Sequence, residues 1–168
     1  MTFLDTDAIQ YISSQLKEPF RPHVGLILGS GLGSLVSEIK ILAAISYESI
    51  PGFHKSSVQG LEGTLVFGYL YGVPVVCMKG RYHIYEGIAP QQLTIPLRVM
   101  KKMGCHTLIL TNAAGSLRPD VGPGSISLIE DHLNLTGTNA LLGHNDVSIG
   151  PRFLPMEEAY HPLLRAHF

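Results

Sequence analysis

Apolar positions along the chain follow two rhythms, one helical and one extended. Over Asp5–Lys17, Ile9, Ile12 and Leu16 recur at helical spacing, and Pro19 and Pro22 close the segment. His23–Leu28 is a short continuous apolar run of the kind buried on both faces of a sheet. A short helix is expected after the glycines that follow, with Leu32, Leu35, Val36 and Ile39 inward. Ile41–Tyr47 returns as a strand, and Ile50–Gly63 reads as a loop from its Pro, Ser and Gly content. "TLVFGYLYGVPVVCM" predicts two strands around a turn at Tyr71-Gly72. Lys79–Gly87 then interrupts with too many ionisable groups for a core segment. Pro90–Met103 predicts a helix with Pro in its first turn, Gly104 past its end and a kink at Pro96. Thr107–Gly115 reads as a buried strand running into a small-residue loop, and Ser127–Leu135 as another strand. A long loop over Thr136–Phe153 precedes a final helix over Glu157–Phe168, broken or begun at Pro162.

Strands that alternate with helices and one hairpin predict an α/β fold, with a mixed central β-sheet flanked by helices. Without an internal repeat or a linker, residues 1–168 read as a single domain. The chain stops inside an apparent helix with no closing strand after it, an odd place for a domain to end.

Composition narrows the class. With 45% hydrophobic and 15% charged residues, the chain can fill a globular core and is not of the disordered type. A net charge of −1 and the lack of a basic patch argue against nucleic-acid binding. Cys77 and Cys105 lie in apolar runs without CxxC spacing, as buried free thiols in a reducing compartment do. The first ten residues carry acids and no basic stretch, which reads against a signal peptide. No apolar run approaches the roughly 18 residues of a membrane helix. These features predict a cytoplasmic protein.

Three motifs carry candidate chemistry. "GSGLG" (Gly29–Gly33) follows the first apolar strand; its glycines let backbone approach an anion, and Ser30 adds a hydroxyl. Alone it fits a dinucleotide site, with Glu48 as the ribose acid, another phosphate, or a purely structural turn. In "GRYHIYEG", Arg81 offers a planar fork for two phosphate oxygens. If the segment is extended, His83 and Tyr85 share its face, with Glu86 at the edge; a solvated loop with one salt bridge fits equally well. In "TNAAGSLRP", Asn112 can bind sugar or base, and Ala113 and Ala114 leave room for a ligand and can present an amide. All three motifs follow strands, where open α/β sheets bind ligands. His23, His106 and His132 read as structural residues beside strands, and His144 sits in a loop. No zinc, EF-hand, Walker or nucleophile-elbow spacing is present.

Taken together, "VGLILGSGLG", "SYESIPGF", "GTLVFGYLYGVPVVCMKGRYHIYEG", "LILTNAAGSLRPDVGPGSISLIEDHLNLTG" and "GPRF" resemble the trimeric purine nucleoside phosphorylases over nearly the whole chain. "CMKGR" and "NAAGSLRP" lean towards the bacterial branch that includes xanthosine phosphorylases. The resemblance implies a nucleoside phosphorylase-like fold and a purine-salvage reaction, in which inorganic phosphate attacks the anomeric carbon of a purine (deoxy)ribonucleoside. Free base and (deoxy)ribose 1-phosphate are released. It implies no metal and no organic cofactor, phosphate being a co-substrate, and a homotrimer at full length. Carried over by position, Ser30, Arg81, His83 and the Ala113 amide bind phosphate. Tyr85 faces the ribose with Asn112 close by, and Glu86 supports its loop. The implied catalytic set is therefore His83, Tyr85, Glu86 and Asn112, with Tyr85, Asn112 and Ala113 at the substrate.

Two departures stand out. Leu61 occupies the position of the family's phosphate-binding histidine, and leucine donates no hydrogen bond, so weakened phosphate binding is expected; His54 or Lys55 are alternative donors. Family members also continue well past residue 168, and the residues that choose the purine lie in that part. The resemblance therefore covers an N-terminal part, with inosine, guanosine and xanthosine all open as substrates. A non-catalytic remnant that keeps only the phosphate-binding part is the alternative.

Overall fold

The computed structural model describes residues 3–54 and 63–167, which fall into two compact units, Met1–Ala113 and Ala114–Phe168. In the first unit the elements are α1 (Phe3–Gln15), β1 (Val24–Leu28), β2 (Ile39–Ser46), β3 (Thr64–Leu70), β4 (Val73–Lys79), α2 (Thr94–Met103) and β5 (Thr107–Leu110). Short 3-10 turns at Gly33–Glu38, Tyr47–Ser49, Ile84–Glu86 and Pro90–Leu93 connect them.

The described strands form a five-stranded mixed sheet in the order β2-β3-β4-β1-β5. β1 runs parallel to both β4 and β5, whereas β2, β3 and β4 pair antiparallel. β1 is therefore an internal strand, between β4 and β5, and carries apolar side chains on both faces, as its unbroken run predicts. Strand alternation splits the core into two layers. Ile27, Leu65, Phe67, Val76 and Met78 face α1 and α2, where they meet Ala8, Ile12, Val99 and Met100. Leu26, Leu28, Val66, Val75 and Cys77 face the other way, against Val36 and Ile39. Each fully buried side chain of this size contributes roughly 1.5–3 kcal/mol.

A buried ionic contact joins the two helices. The Asp5 carboxylate is fully buried in α1 and accepts from Arg98 Nε at 3.1 Å and Lys102 Nζ at 2.8 Å in α2. Arg98 and Lys102 are one helical turn apart, so both reach one acid. Arg98 Nη1 also donates to Thr94 Oγ1 at 2.6 Å, which fixes the guanidinium.

The β3–β4 hairpin forms where the sequence places it. Tyr71 and Gly72 have φ of 48° and 85°, the positive pair of a type I′ turn. The Tyr71 hydroxyl donates to Glu38 Oε2 at 3.0 Å, a contact that holds a non-glycine residue in this region. Burial pushes the Cys77 thiol up to about 11, so it packs as an apolar, protonated group.

Several expected elements differ. The helix expected after the glycines is a 3-10 turn of six residues. The strand expected from Ile41 starts at Ile39 and ends at Ser46. The helix expected over Pro90–Met103 splits into a 3-10 turn, Pro90–Leu93, and α2 from Thr94. Pro96 thus falls in the first turn of α2, where its missing N–H deprives no carbonyl of that helix and no kink is required. The strand expected from Thr107 ends at Leu110.

In the second unit the chain follows turns and bends, with one short helix, α3 (Pro162–Arg165), in place of the helix expected over Glu157–Phe168. Ser127–Leu135 is not a strand. Leu133 and Leu135 are about nine-tenths exposed, so this apolar run meets neither a pairing edge nor a cover in its own unit. Local contacts give the unit its shape: Tyr160 hydroxyl lies 2.9 Å from His132 Nε2 with the rings stacked, and Arg118 pairs with Asp120. All buried hydrophobic side chains among the described residues belong to the first unit.

Candidate anion site at the carboxyl edge of the sheet

Parallel β1, β4 and β5 end on one edge of the sheet, and the antiparallel order brings the end of β2 and the start of β3 to the same edge. The three motifs singled out above leave from that edge. Glycines 29, 31 and 33 with Ser30, then Lys79, Gly80, Arg81, Tyr82, His83 and Glu86, enclose a cavity of about 220 Å³. Tyr47 and Gly63 complete its wall.

The glycine turn is shaped by two hydrogen bonds. Gly29 N–H donates to Thr111 Oγ1 at 2.8 Å, and Leu32 N–H donates to Gly29 O at 3.2 Å. Gly31, at φ 88°, supplies the left-handed residue this tight turn needs. With the Gly29 and Leu32 amides engaged, Ser30 and Gly31 N–H are the donors of the turn left to meet an anion. Gly29 also has no room for a side chain: a Cβ there would lie 2.5 Å from Thr111 O, 2.7 Å from Asn112 Cα and 2.8 Å from Arg81 Nη1.

Arg81 is half-buried and its Nη1 donates to Leu28 O at 3.4 Å, so the last carbonyl of β1 orients the guanidinium beside the glycine turn. His83 is held by Glu86. The Glu86 carboxylate, 4% exposed, accepts the His83 backbone N–H at 3.0 Å and lies 2.9 Å from His83 Nδ1. A carboxylate at Nδ1 fixes the tautomer that carries its proton there and leaves Nε2 as the free end of the ring.

The extended register expected for Arg81, His83 and Tyr85 does not form. Ile84–Glu86 is a 3-10 turn closed by Gly87 at φ 82°, and Tyr85 stacks on His83 at 4.6 Å with an interplanar angle of 17°. The pattern of alternate polar residues resembled a strand, but the Glu86 bonds to His83 close a turn instead. Tyr85 is 78% exposed and lies outside the cavity lining. Asn112 and Ala113 sit at the end of β5 beside Gly29, both exposed and also outside the lining; Asn112 Nδ2 donates to Ala113 O at 3.1 Å. Ser30, Arg81, His83 and Glu86 are thus brought to one cavity, while Tyr85, Asn112 and Ala113 flank it. Leu61 and Lys55 lie outside the described residues.

Four contributors carried no signal of their own in the sequence. Tyr47, 1% exposed, donates to Gly80 O at 2.7 Å and so fixes the turn just before Arg81. Its ring leaves Gly63 no space for a Cβ, which would run into Tyr47 Cδ2. Tyr82 hydroxyl accepts the His54 N–H at 3.0 Å, and its ring packs on Tyr47 at 5.5 Å. Burial pushes both phenols well above their ordinary range, so they remain neutral. Lys79 ends β4 at the cavity and adds a positive charge to that of Arg81. Thr111 is the fourth. Among the described residues no three His, Cys, Asp or Glu side chains are grouped to hold a metal ion, and no helix is long and apolar enough to cross a membrane.

With the geometry in place, comparison with known proteins is decisive: the family model described as "Phosphorylase superfamily" matches residues 23–168. The chain belongs to the phosphorylase superfamily. It is 47% identical over 164 residues to purine nucleoside phosphorylase 1 of Geobacillus stearothermophilus, covering 96% of this chain and 60% of that protein. It is 46% identical over 156 residues to purine nucleoside phosphorylase 1 of Bacillus subtilis (strain 168), covering 92% of this chain and 58% of that protein. Among solved structures, isoform 2 of purine nucleoside phosphorylase from Schistosoma mansoni, in complex with cytosine and ribose-1-phosphate, superposes with a TM-score of 0.90 at 38% identity. That match covers 99% of this chain and 59% of the other. This member of the phosphorylase superfamily therefore spans about three-fifths of the length of these relatives.

Proposed function

We propose that the chain carries the phosphate-binding part of a purine nucleoside phosphorylase, a pentosyltransferase that exchanges the purine of a (deoxy)ribonucleoside for inorganic phosphate. The observation that carries the proposal is the cavity itself: a glycine turn, Arg81 and a carboxylate-held His83 converge at the carboxyl edge of three parallel strands. A planar cation and backbone amides suit a tetrahedral dianion, and Lys79 strengthens the same field. The likeness to the Geobacillus and Bacillus enzymes supports the same reading.

In the proposed mechanism, Ser30 hydroxyl, the turn amides, Arg81 and His83 hold phosphate so that one oxygen faces the anomeric carbon. The Ala113 amide approaches from the end of β5, and Tyr85 and Asn112 contact the ribose. As the glycosidic bond breaks, the sugar gains oxocarbenium character. The fixed anion stabilises that charge and forms the new C–O bond, while the purine leaves with the bonding electrons and, in net balance, takes up the proton that hydrogen phosphate loses on becoming ribose 1-phosphate. Positioning and electrostatics supply the rate, and the proposal invokes no organic cofactor or metal. The family resemblance extends the proposal to a single domain over residues 1–168 within a longer homotrimeric, cytoplasmic enzyme.

The test is base release from inosine, guanosine and xanthosine by the purified chain, with and without phosphate. The expected result is free purine only when phosphate is present, with one ribose 1-phosphate per base. Release without phosphate contradicts the assignment, and no release in either condition leaves this chain as the non-catalytic remnant that keeps only the phosphate-binding part. In the same assay Leu61→His should lower the half-saturating phosphate concentration, because it restores a donor to the loop; an unchanged value contradicts the role given to position 61.

A further inference from the structure

We propose that Thr111 is a positioning residue of the anion site, whose hydroxyl sets the orientation of the glycine turn. The inference rests on the phosphate reading of that site.

Thr111 follows β5 directly, one residue past the last rung that pairs β5 with β1. Its backbone N–H donates to Ile27 O at 3.0 Å and its hydroxyl donates to the same carbonyl at 3.2 Å. The hydroxyl oxygen in turn accepts Gly29 N–H at 2.8 Å. One side chain thus extends the β1–β5 ladder past the strands and clamps the first residue of the turn. Gly29 is buried, so its N–H has no ready access to water should the acceptor be lost.

The clamp decides which amides point at the anion. With Gly29 N–H committed to Thr111 and Leu32 N–H to Gly29 O, the peptide planes between them are held in one setting. The same corner orients Arg81, whose Nη1 lies where a Gly29 Cβ would project and bonds Leu28 O. Loss of the hydroxyl releases the Gly29 peptide, and the Ser30 and Gly31 amides and the Arg81 fork lose their common reference. Thr111 itself touches no reactant in this scheme; its effect travels through Gly29.

Threonine is required for its oxygen rather than its shape. Thr111→Val keeps the branched volume without an acceptor, whereas Thr111→Ser keeps the acceptor. The experiment titrates inorganic phosphate into wild type and both variants by calorimetry and follows amide hydrogen exchange at Gly29 in each. Thr111→Val should weaken phosphate binding about tenfold and speed Gly29 exchange, while Thr111→Ser stays within about threefold of wild type on both counts. Equal phosphate affinity and unchanged Gly29 exchange in the valine variant overturn the proposal. If wild type binds no phosphate yet Gly29 exchange speeds up in the valine variant alone, the clamp stands and the phosphate reading of the site falls. A serine variant as impaired as valine overturns the role of the oxygen and leaves only packing.

Discussion

Glu86 shows how a single side chain converts a loop into a site. Its carboxylate is nearly buried and makes two contacts with His83, one to the backbone N–H and one to Nδ1. Alanine at 86 leaves the His83 N–H without its acceptor and frees the ring, so phosphate affinity should fall about tenfold, as expected when a partly buried donor loses its partner. Gln retains one acceptor and should lose less. A phosphate titration of the three proteins checks this, and unchanged affinity in the alanine variant contradicts the role given to Glu86. The sequence makes this pair visible only as an acid three residues after a histidine. An extended reading separates them, and the 3-10 turn at Ile84–Glu86 brings them together. Thr111 was harder to see: a threonine after a strand is ordinary, and its importance arises from a partner 82 residues away.

At the scale of elements, hydrophobic rhythm was most legible where burial is two-sided or where a turn has a strong local code. β1 and the Tyr71-Gly72 hairpin fall where their patterns predict. The rhythm misled where it lacked a partner. Ser127–Leu135 has a strand-like composition, yet a strand needs a neighbouring edge, and its own unit offers none. Helix packing carries a feature that no local pattern codes: Asp5 of α1 is bound by Arg98 and Lys102 of α2, more than ninety residues on. Asp5→Ala leaves two part-exposed cations without the acid that joins them across the helix interface, and loss of such charged hydrogen bonds costs about 1.5–3 kcal/mol. Urea denaturation should report that loss as a lower midpoint. A midpoint within experimental error of wild type contradicts the importance assigned to the contact.

At the scale of the molecule, topology does what no single motif does. Mixed pairing sends the ends of β1, β2, β4 and β5 and the start of β3 to one edge, so motifs far apart in sequence meet around one cavity. The glycine turn alone fitted a dinucleotide, another phosphate or no ligand; Arg81 and a carboxylate-held His83 beside it favour a compact anion. Tyr85, Asn112 and Ala113 lie outside the cavity lining, Tyr85 stacked on His83 and Asn112 beside Gly29. In the proposed function this cavity holds inorganic phosphate through Arg81. Calorimetric titration of the chain with phosphate, beside Arg81→Ala, tests it most directly. One saturable site is expected in wild type and at least about tenfold weaker binding in the variant, the loss of a charge-assisted contact. Saturable binding of equal strength in both proteins, or none in wild type, would contradict it.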